Sequence, residues 1–317
     1  MVLPRPLPGG FPARILRAPA HAGQGSRPFA VLAMVASLLA SAAAADGPAG
    51  APRGPAAFWD RYVAADALLD AAPDSALALA ERLIREDETS FLGHWLRGVW
   101  IAVHDTSRAR EVLRRADAAP DSVGLQVEAG TIHFALRHGA AGRVAFDRAR
   151  DRYLAAERAA DASRAALWKV TKNRDRSDVA RMTADLAAAD SLARSSGNPA
   201  AIADVLIHRG SFLARRDEAG AVEMLREAAA KLAPLGPSYQ LVNCQRLMAG
   251  SLKQQGALDE ALERYRSAME AARALGDSAQ EVQALLGTGL VQQALGAHPQ
   301  ALEIATRALP RAIRTGR

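Results

Sequence analysis

From Pro199 to the C-terminus, the sequence repeats small residues at a fixed interval of 40 positions. Three sets keep this interval: Ala221, Ala261 and Ala301; Ala228, Ala268 and Ala308; and Gly236, Gly276 and Gly316. A constant period of about 20 to 50 residues is typical of proteins built from stacked structural repeats. The period constrains the fold more than any local pattern does, because each repeat must pack against its neighbours.

Each 40-residue unit has the pattern of two amphipathic helices that meet at a tight turn. In the stretch Ala257–Leu275, apolar residues recur at spacings of three and four, which places them on one helical face. One such pair of helices cannot bury its apolar stripe alone, so the units must stack. The chain has no alternating strand-like run and no glycine-rich nucleotide loop between a strand and a helix. An all-α fold is therefore predicted.

The best-preserved unit resembles the tetratricopeptide repeat family. The resemblance rests on Met248-Ala249, Leu252, the run Gly256–Leu262, Tyr265 and Ala268, and it recurs at Gly296, Ala301 and Ala308. The 40-residue period, with Ala274–Asp277 closing a unit, resembles the long-helix variant of that family. The resemblance implies a right-handed superhelical solenoid with a concave groove, which members of the family use to hold an extended peptide or a partner's helix.

The first half of the chain keeps a shorter period of 33 residues, for example at Ala76, Ala109 and Gly142. The two halves together give about seven helix-turn-helix units and about fourteen helices, with units near 58–87, 88–120, 121–159, 160–197, 198–236, 237–276 and 277–317. Gly98 and Gly210 lie one step away from the position that the spacing predicts for a small residue. The fourth unit is the least regular, and a polar junction, Lys172–Ser177, stands where the family prefers glycine.

Residues 1–45 have the pattern of a secretory signal peptide. Four arginines without any acidic residue precede the apolar run Phe29–Leu39 and the small-residue run Ala40–Ala45. We expect cleavage between Ala45 and Asp46 and export to the periplasm or the extracellular space, with residues 46–57 as a flexible linker. An uncleaved anchor is the alternative, and part of the stretch before Arg27 belongs to no signal peptide if the start codon is wrongly placed.

The charge balance argues against nucleic acid as a partner. The whole chain has a net charge of +6, but without residues 1–45 it has 36 basic and 34 acidic residues. Both signs alternate along the helices and aromatic residues are scarce, whereas nucleic-acid binding needs clustered cations and aromatic stacking. We also predict no integral membrane span after cleavage of the signal.

Few residues have the pattern of a catalytic or metal site, and we predict no enzyme, cofactor or metal. Gly287-Thr288-Gly289 lacks the third glycine and the preceding strand of a dinucleotide site, and a helix crossing explains it better. His133 and His138 are five apart, which does not bring both to one metal ion. Cys244, the only cysteine, is predicted to be a buried apolar residue, with an interchain disulfide as the alternative. His94 is expected at the surface beside a packed Trp95.

What remains is binding of a protein or peptide partner. The resemblance places five polar residues in the concave groove of units six and seven: Asn243, Arg246, Lys253, Gln283 and Gln293. Amides can hydrogen-bond a peptide backbone, and the two cations can take a carboxylate. The alternative is that they are only solvated helix residues.

Two interpretations of the whole protein stay open. The first is an exported scaffold or adaptor. The second is the N-terminal sensor or interaction region of a longer signalling protein, or of a caspase-like (CHAT) peptidase, cut off at Arg317. The last helix supports either, because it leaves an apolar edge that a partner, a second copy or a further repeat would cover: Leu302, Ile304, Ala305, Ala308, Leu309 and Ile313.

Overall fold

The computed structural model describes residues 57–172, 178–216 and 220–314, and within them the chain forms fourteen α-helices. In chain order these are α1 (Ala57–Ala71), α2 (Pro73–Glu86), α3 (Phe91–His104), α4 (Thr106–Ala118), α5 (Val123–Ala135), α6 (Gly139–Ala155), α7 (Ala159–Lys172), α8 (Val179–Ser195), α9 (Pro199–Ala214), α10 (Ala221–Leu232), α11 (Tyr239–Gln254), α12 (Leu258–Ala274), α13 (Ser278–Ala294) and α14 (His298–Arg314). A short 3₁₀ turn, Ala233–Leu235, follows α10. The predicted signal peptide, most of the predicted linker and the core of the Lys172–Ser177 junction lie outside the described residues.

Several helices begin where a polar side chain satisfies a free N–H group of the first turn. The side chains of Asp105 and Ser122 accept hydrogen bonds from the backbone N–H groups of Arg108 and Leu125. The start of α2 differs. That helix has no side-chain cap and begins at Pro73 itself, a residue that has no N–H group to satisfy.

The helices pack against one another in sequence order, each against the next from α1 to α14. The predicted all-α stack of about seven helix pairs is therefore confirmed. The small residues of the 40-residue period lie at the helix crossings: Ala221, Ala228, Ala261, Ala268 and Ala308 are buried, and Ala301 is half-buried. Small side chains at these positions let two helices approach closely.

The odd-numbered helices from α3 to α13 form the inner face of the stack. Several of them contact each other across units, as α3 does with α5, α9 with α11, and α11 with α13. No pair of even-numbered helices packs to a similar extent in the described part of the chain. The side on which neighbouring units come closest is the concave side, so the odd-numbered helices line it.

Two departures from regular stacking stand out. Gly98 of α3 lies so close to α5 that a Cβ atom there would be 3.2 Å from the backbone of Glu128. The one-residue shift noted at Gly98 thus marks a close crossing with the following unit. The helix α1 is the second departure, because it contacts α11 as well as its neighbours α2 and α3.

Candidate partner-binding surface

The five predicted groove residues lie on α11 and α13, and four of them occupy equivalent positions. Gln283 and Gln293 follow Asn243 and Lys253 by one 40-residue period. On α13, a Cβ atom at Gly287 would meet Tyr265 of α12, and one at Gly289 would meet Ile304 of α14. Gln283 and Gln293 lie on the side of α13 that faces neither of these helices, which is the concave side.

Two of the five residues are bound to each other. Asn243 is only 8% exposed, and its Oδ1 accepts a hydrogen bond of 2.9 Å from Nη2 of Arg246 one turn later. The amide oxygen of Asn243 therefore already has a partner within the protein. Lys253 and Gln283 are half-buried and Gln293 is exposed. The side chains of these three residues make no hydrogen bond or ion pair with other residues that the structure describes.

Leu286 and Leu290 complete this surface, and the sequence reasoning missed them. They are 40% and 49% exposed, and they lie between Gln283 and Gln293 on the same side of α13. The four residues Gln283, Leu286, Leu290 and Gln293 are called the α13 row below. The 40-residue period could have identified both leucines, because it aligns them with Arg246 and Gly250.

Tyr265 connects the α13 row to α11. Its ring lies under Gly287, and its hydroxyl oxygen would be 3.8 Å from a Cβ atom at Gly250. Burial raises the pKa of the Tyr265 hydroxyl, and the charge of Arg246 acts in the opposite direction. The ring therefore spans from the α12–α13 contact to the face of α11 that carries Arg246.

A buried carboxylate fixes α13 in place at its other side. Glu281 accepts a hydrogen bond of 2.8 Å from Nε of Arg273 in α12 and one of 2.5 Å from Nη2 of Arg311 in α14. Burial alone would raise the pKa of Glu281, but the hydrogen bonds from the two arginines outweigh it and the pKa is lowered. The helix α13 is thus bound through Glu281 to both of its neighbours, α12 and α14.

A cleft with a volume of about 380 Å³ lies between α3, α4 and α5. His94 and Glu128 line it and are buried, so the expectation that His94 lies at the surface is wrong. His94 Nδ1 is 2.5 Å from Glu128 Oε1, and Nη2 of Arg97 donates to the same oxygen at 2.5 Å. The group is a charged cluster that joins units two and three.

Cys244 is fully buried, as predicted, and its Sγ donates to the backbone oxygen of Leu225. Burial raises the pKa of this thiol to about 12, so it stays protonated at neutral pH. No three His, Cys, Asp or Glu side chains in the described ranges are arranged to hold a metal ion. None of the described helices is long and apolar enough to cross a bilayer.

The predicted apolar edge on α14 is partly present. Leu302 and Leu309 are 68% and 60% exposed, as expected. Ala308 is fully buried, and Ile304 packs against Gly289, so these two residues are not part of an open edge. Ala305 is exposed, and the side chain of Ile313 lies outside the described residues.

Comparison with known proteins agrees with this architecture. Residues 240–314, which contain α11 to α14 almost entirely, match the tetratricopeptide repeat family. No curated protein sequence matches the chain. Repeats of this family serve in general as scaffolds for protein–protein interaction. The match assigns residues 240–314 to the tetratricopeptide repeat family.

Proposed function

We propose that the protein is a non-catalytic scaffold that binds a protein or peptide partner through the concave face of α11 and α13. One observation carries this proposal above all. The α13 row exposes two leucines between two amides, on a helix that is otherwise held tightly by its neighbours. Exposed apolar side chains that are rimmed by polar ones are typical of a protein-interaction surface.

The residues of this face indicate the chemistry of the partner. Leu286 and Leu290 suit apolar side chains, and Gln283 and Gln293 can hydrogen-bond a peptide backbone in either direction. Lys253, at the end of α11, can take a carboxylate. The best-fitting partner is a segment with apolar residues on one side and an acidic residue at one end. Self-association through Leu302 and Leu309 of α14 is a further proposal of the same kind.

Replacing Leu286 and Leu290 together by serine should weaken partner binding about ten-fold or more, because buried apolar side chains carry much of the energy of an interface. The measurement is affinity capture from an extract of the source organism. The dissociation constant of the captured protein is then measured by calorimetry for wild type and variant. The melting temperature of the variant should stay at the wild-type value, since both leucines are already exposed.

A matched control replaces Leu136 and Leu154 by serine. These residues are 42% and 40% exposed and lie at α5 and α6, away from the α13 row. This control should bind the partner as wild type does. If both variants bind the partner equally weakly, or if neither loses affinity, the α13 row is not part of the interface.

We further propose that the protein is exported. The support is the signal-like pattern of residues 1–45, since a basic stretch, a short apolar run and small residues at the cleavage position are what signal peptidase recognises. We expect the mature chain from the source organism, or from a secreting bacterial host, to begin at Asp46. Intact-mass measurement of the purified protein checks this, and a mature chain that retains residues 1–45 would contradict it.

A further inference from the structure

The first helix, α1, has apolar residues on all of its sides. Placed at 100° per residue, Phe58, Tyr62, Ala65 and Leu68 fall on one face of the helix, and Val63 lies on the opposite side. The larger apolar face has to be covered by other helices. In agreement, Tyr62, Ala65 and Leu68 are 6%, 0% and 4% exposed.

The partners of α1 come from distant parts of the sequence. The Tyr62 ring has its centroid 4.5 Å from that of Trp95 in α3 and 5.4 Å from that of Trp168 in α7. The guanidinium of Arg164 in α7 stands 4.2 Å above the centre of the Phe58 ring. The helix α1 also packs against α11.

The influence of α11 is visible at Tyr62 itself. Burial is the main reason why the pKa of the Tyr62 hydroxyl is raised, and the charges of Asp66 and of Tyr239, the first residue of α11, add to it. The helices α3, α7 and α11 are the first helices of units two, four and six. All of them line the concave face, so α1 lies inside the groove.

A regular first repeat helix would contact only its own unit and the next one. The contacts of α1 with units four and six are those expected of a ligand that is bound in the groove. A single residue, Ala72, joins α1 to α2, and its backbone has the non-helical angles φ −154° and ψ 75°. A non-helical residue thus separates α1 from α2.

We infer that α1 is an internal ligand of the concave groove, and that this groove is a binding site for a helix with two aromatic residues four positions apart. The inference rests on the proposed function as a groove-binding scaffold and adds what occupies the groove. Phe58 and Tyr62 supply the two rings, and Ala65 and Leu68 continue the same contact. A partner helix has to replace these rings, because Trp95 and Trp168 are buried against them.

The internal position gives α1 an advantage over any free helix. A segment held by a short joint competes at an effective concentration on the order of millimolar. A free helix with the same contacts will bind wild-type protein weakly. Weakening the hold of α1 should therefore expose the site.

The test uses the full chain and a labelled synthetic peptide with the sequence of residues 57–71. In the protein, Tyr62 and Leu68 are both replaced by alanine. Fluorescence anisotropy should show the peptide binding this variant about ten-fold or more tighter than wild type, because the internal competitor is weakened. A control peptide with Tyr62→Ala should bind neither protein. If the natural peptide binds the variant no better than it binds wild type, the inference is overturned.

Hydrogen exchange on the unmodified protein gives a second result that does not depend on the folding of a variant. If α1 leaves the groove by local opening, its amides should exchange about ten times faster or more than those of α7, which stays folded. Equal exchange in α1 and α7 would mean that α1 is a fixed part of the core, and the inference would fail.

Both measurements are independent of the natural partner. Failure of the capture experiment with Leu286 and Leu290 would count against the proposed function and leave the peptide result standing. Failure of the peptide and exchange experiments would count against the internal ligand alone.

Discussion

Replacing Glu128 by alanine should lower the free energy of unfolding by about 3–5 kcal/mol, because it removes the buried counter-charge of the Arg97 guanidinium. Glu128 is 1% exposed, and its Oε1 accepts hydrogen bonds from both Nε and Nη2 of Arg97, at 3.0 and 2.5 Å. The same oxygen faces Nδ1 of His94. Urea denaturation followed by tryptophan fluorescence measures the loss, since Trp95 and Trp100 lie in α3, the helix that carries His94 and Arg97.

The surroundings of His94 make this loss larger than that of a simple ion pair. Its Nε2 is 2.8 Å from the backbone oxygen of Glu88, which can only accept, so Nε2 carries a hydrogen. The ring is thus fixed between this carbonyl and the Glu128 carboxylate, and it loses one of these two neighbours in the variant. Without Glu128, the His94 ring and the Arg97 guanidinium would lie beside each other with no carboxylate between them.

Two further variants decide whether burial is the cause. Glu128→Gln keeps the shape and one acceptor but removes the charge, and it should cost roughly 1.5–3 kcal/mol, the value of hydrogen bonds to charged groups. Glu111→Ala removes an exposed carboxylate that pairs with Arg114 on the same helix, and its urea midpoint should stay at the wild-type value. A Glu128→Ala variant as stable as Glu111→Ala would show that the cluster is solvated and not buried.

The sequence predicted the stack because its information is periodic. Ala221 and Ala261, like Ala228 and Ala268, recur at an interval that only a repeated close crossing explains, and they are buried as expected. Gly210, one step out of register, also marks a crossing, since a Cβ atom there would be 2.8 Å from Leu225. The repeat can therefore still be recognised after a one-residue shift, because any small residue near the crossing lets the helices approach.

The charged cluster of units two and three was missed because it breaks the pattern. His94 and Glu128 each stand in an apolar first helix, 34 residues apart, which is close to the 33-residue period of this half. A single polar residue in such a helix is ordinarily interpreted as a surface residue. The matching residue in the next unit was the available signal, since a buried charge needs a partner at the same level of the neighbouring helix.

The position of α1 could not be read from the sequence. Its pattern predicts a helix without a distinct polar face, but the identity of the covering helices depends on how tightly the whole stack curves. That curvature is the sum of small rotations at every unit crossing, and the sequence gives no measure of it. The contact between α1 and α11 spans about six units and is therefore a property of the complete array.

The second large effect is expected at Gly287. Gly287→Val should destabilise the protein by about 3 kcal/mol, the upper range for overpacking a filled core. A Cβ atom there would lie 2.2 Å from Cε1 of the Tyr265 ring, a distance that no real contact allows. The ring is 6% exposed and held between α11, α12 and α13, so it cannot move aside without opening the α12–α13 contact.

Gly250 supplies the matched control, because it also lies inside a helix but faces open space. A Cβ atom there would have only the Tyr265 hydroxyl nearby, at 3.8 Å. Gly250→Ala should therefore stabilise the protein by about 0.5–1 kcal/mol, the usual gain of alanine over glycine in a helix. Two glycines on neighbouring inner helices should thus give effects of opposite sign, and both can be measured by urea denaturation followed by circular dichroism.

The double variant Gly287→Val with Tyr265→Ala identifies the ring as the obstacle. Tyr265→Ala alone should cost about 3–5 kcal/mol, as other large-to-small aromatic changes in cores do. If the valine and the ring compete for the same space, the double variant should lose clearly less than the sum of the two single losses. Additive losses would place the strain of Gly287→Val in the backbone of α13 and not at the ring. In that case, only the hydrogen bonds of Glu281 with Arg273 and Arg311 would hold the α13 row in position.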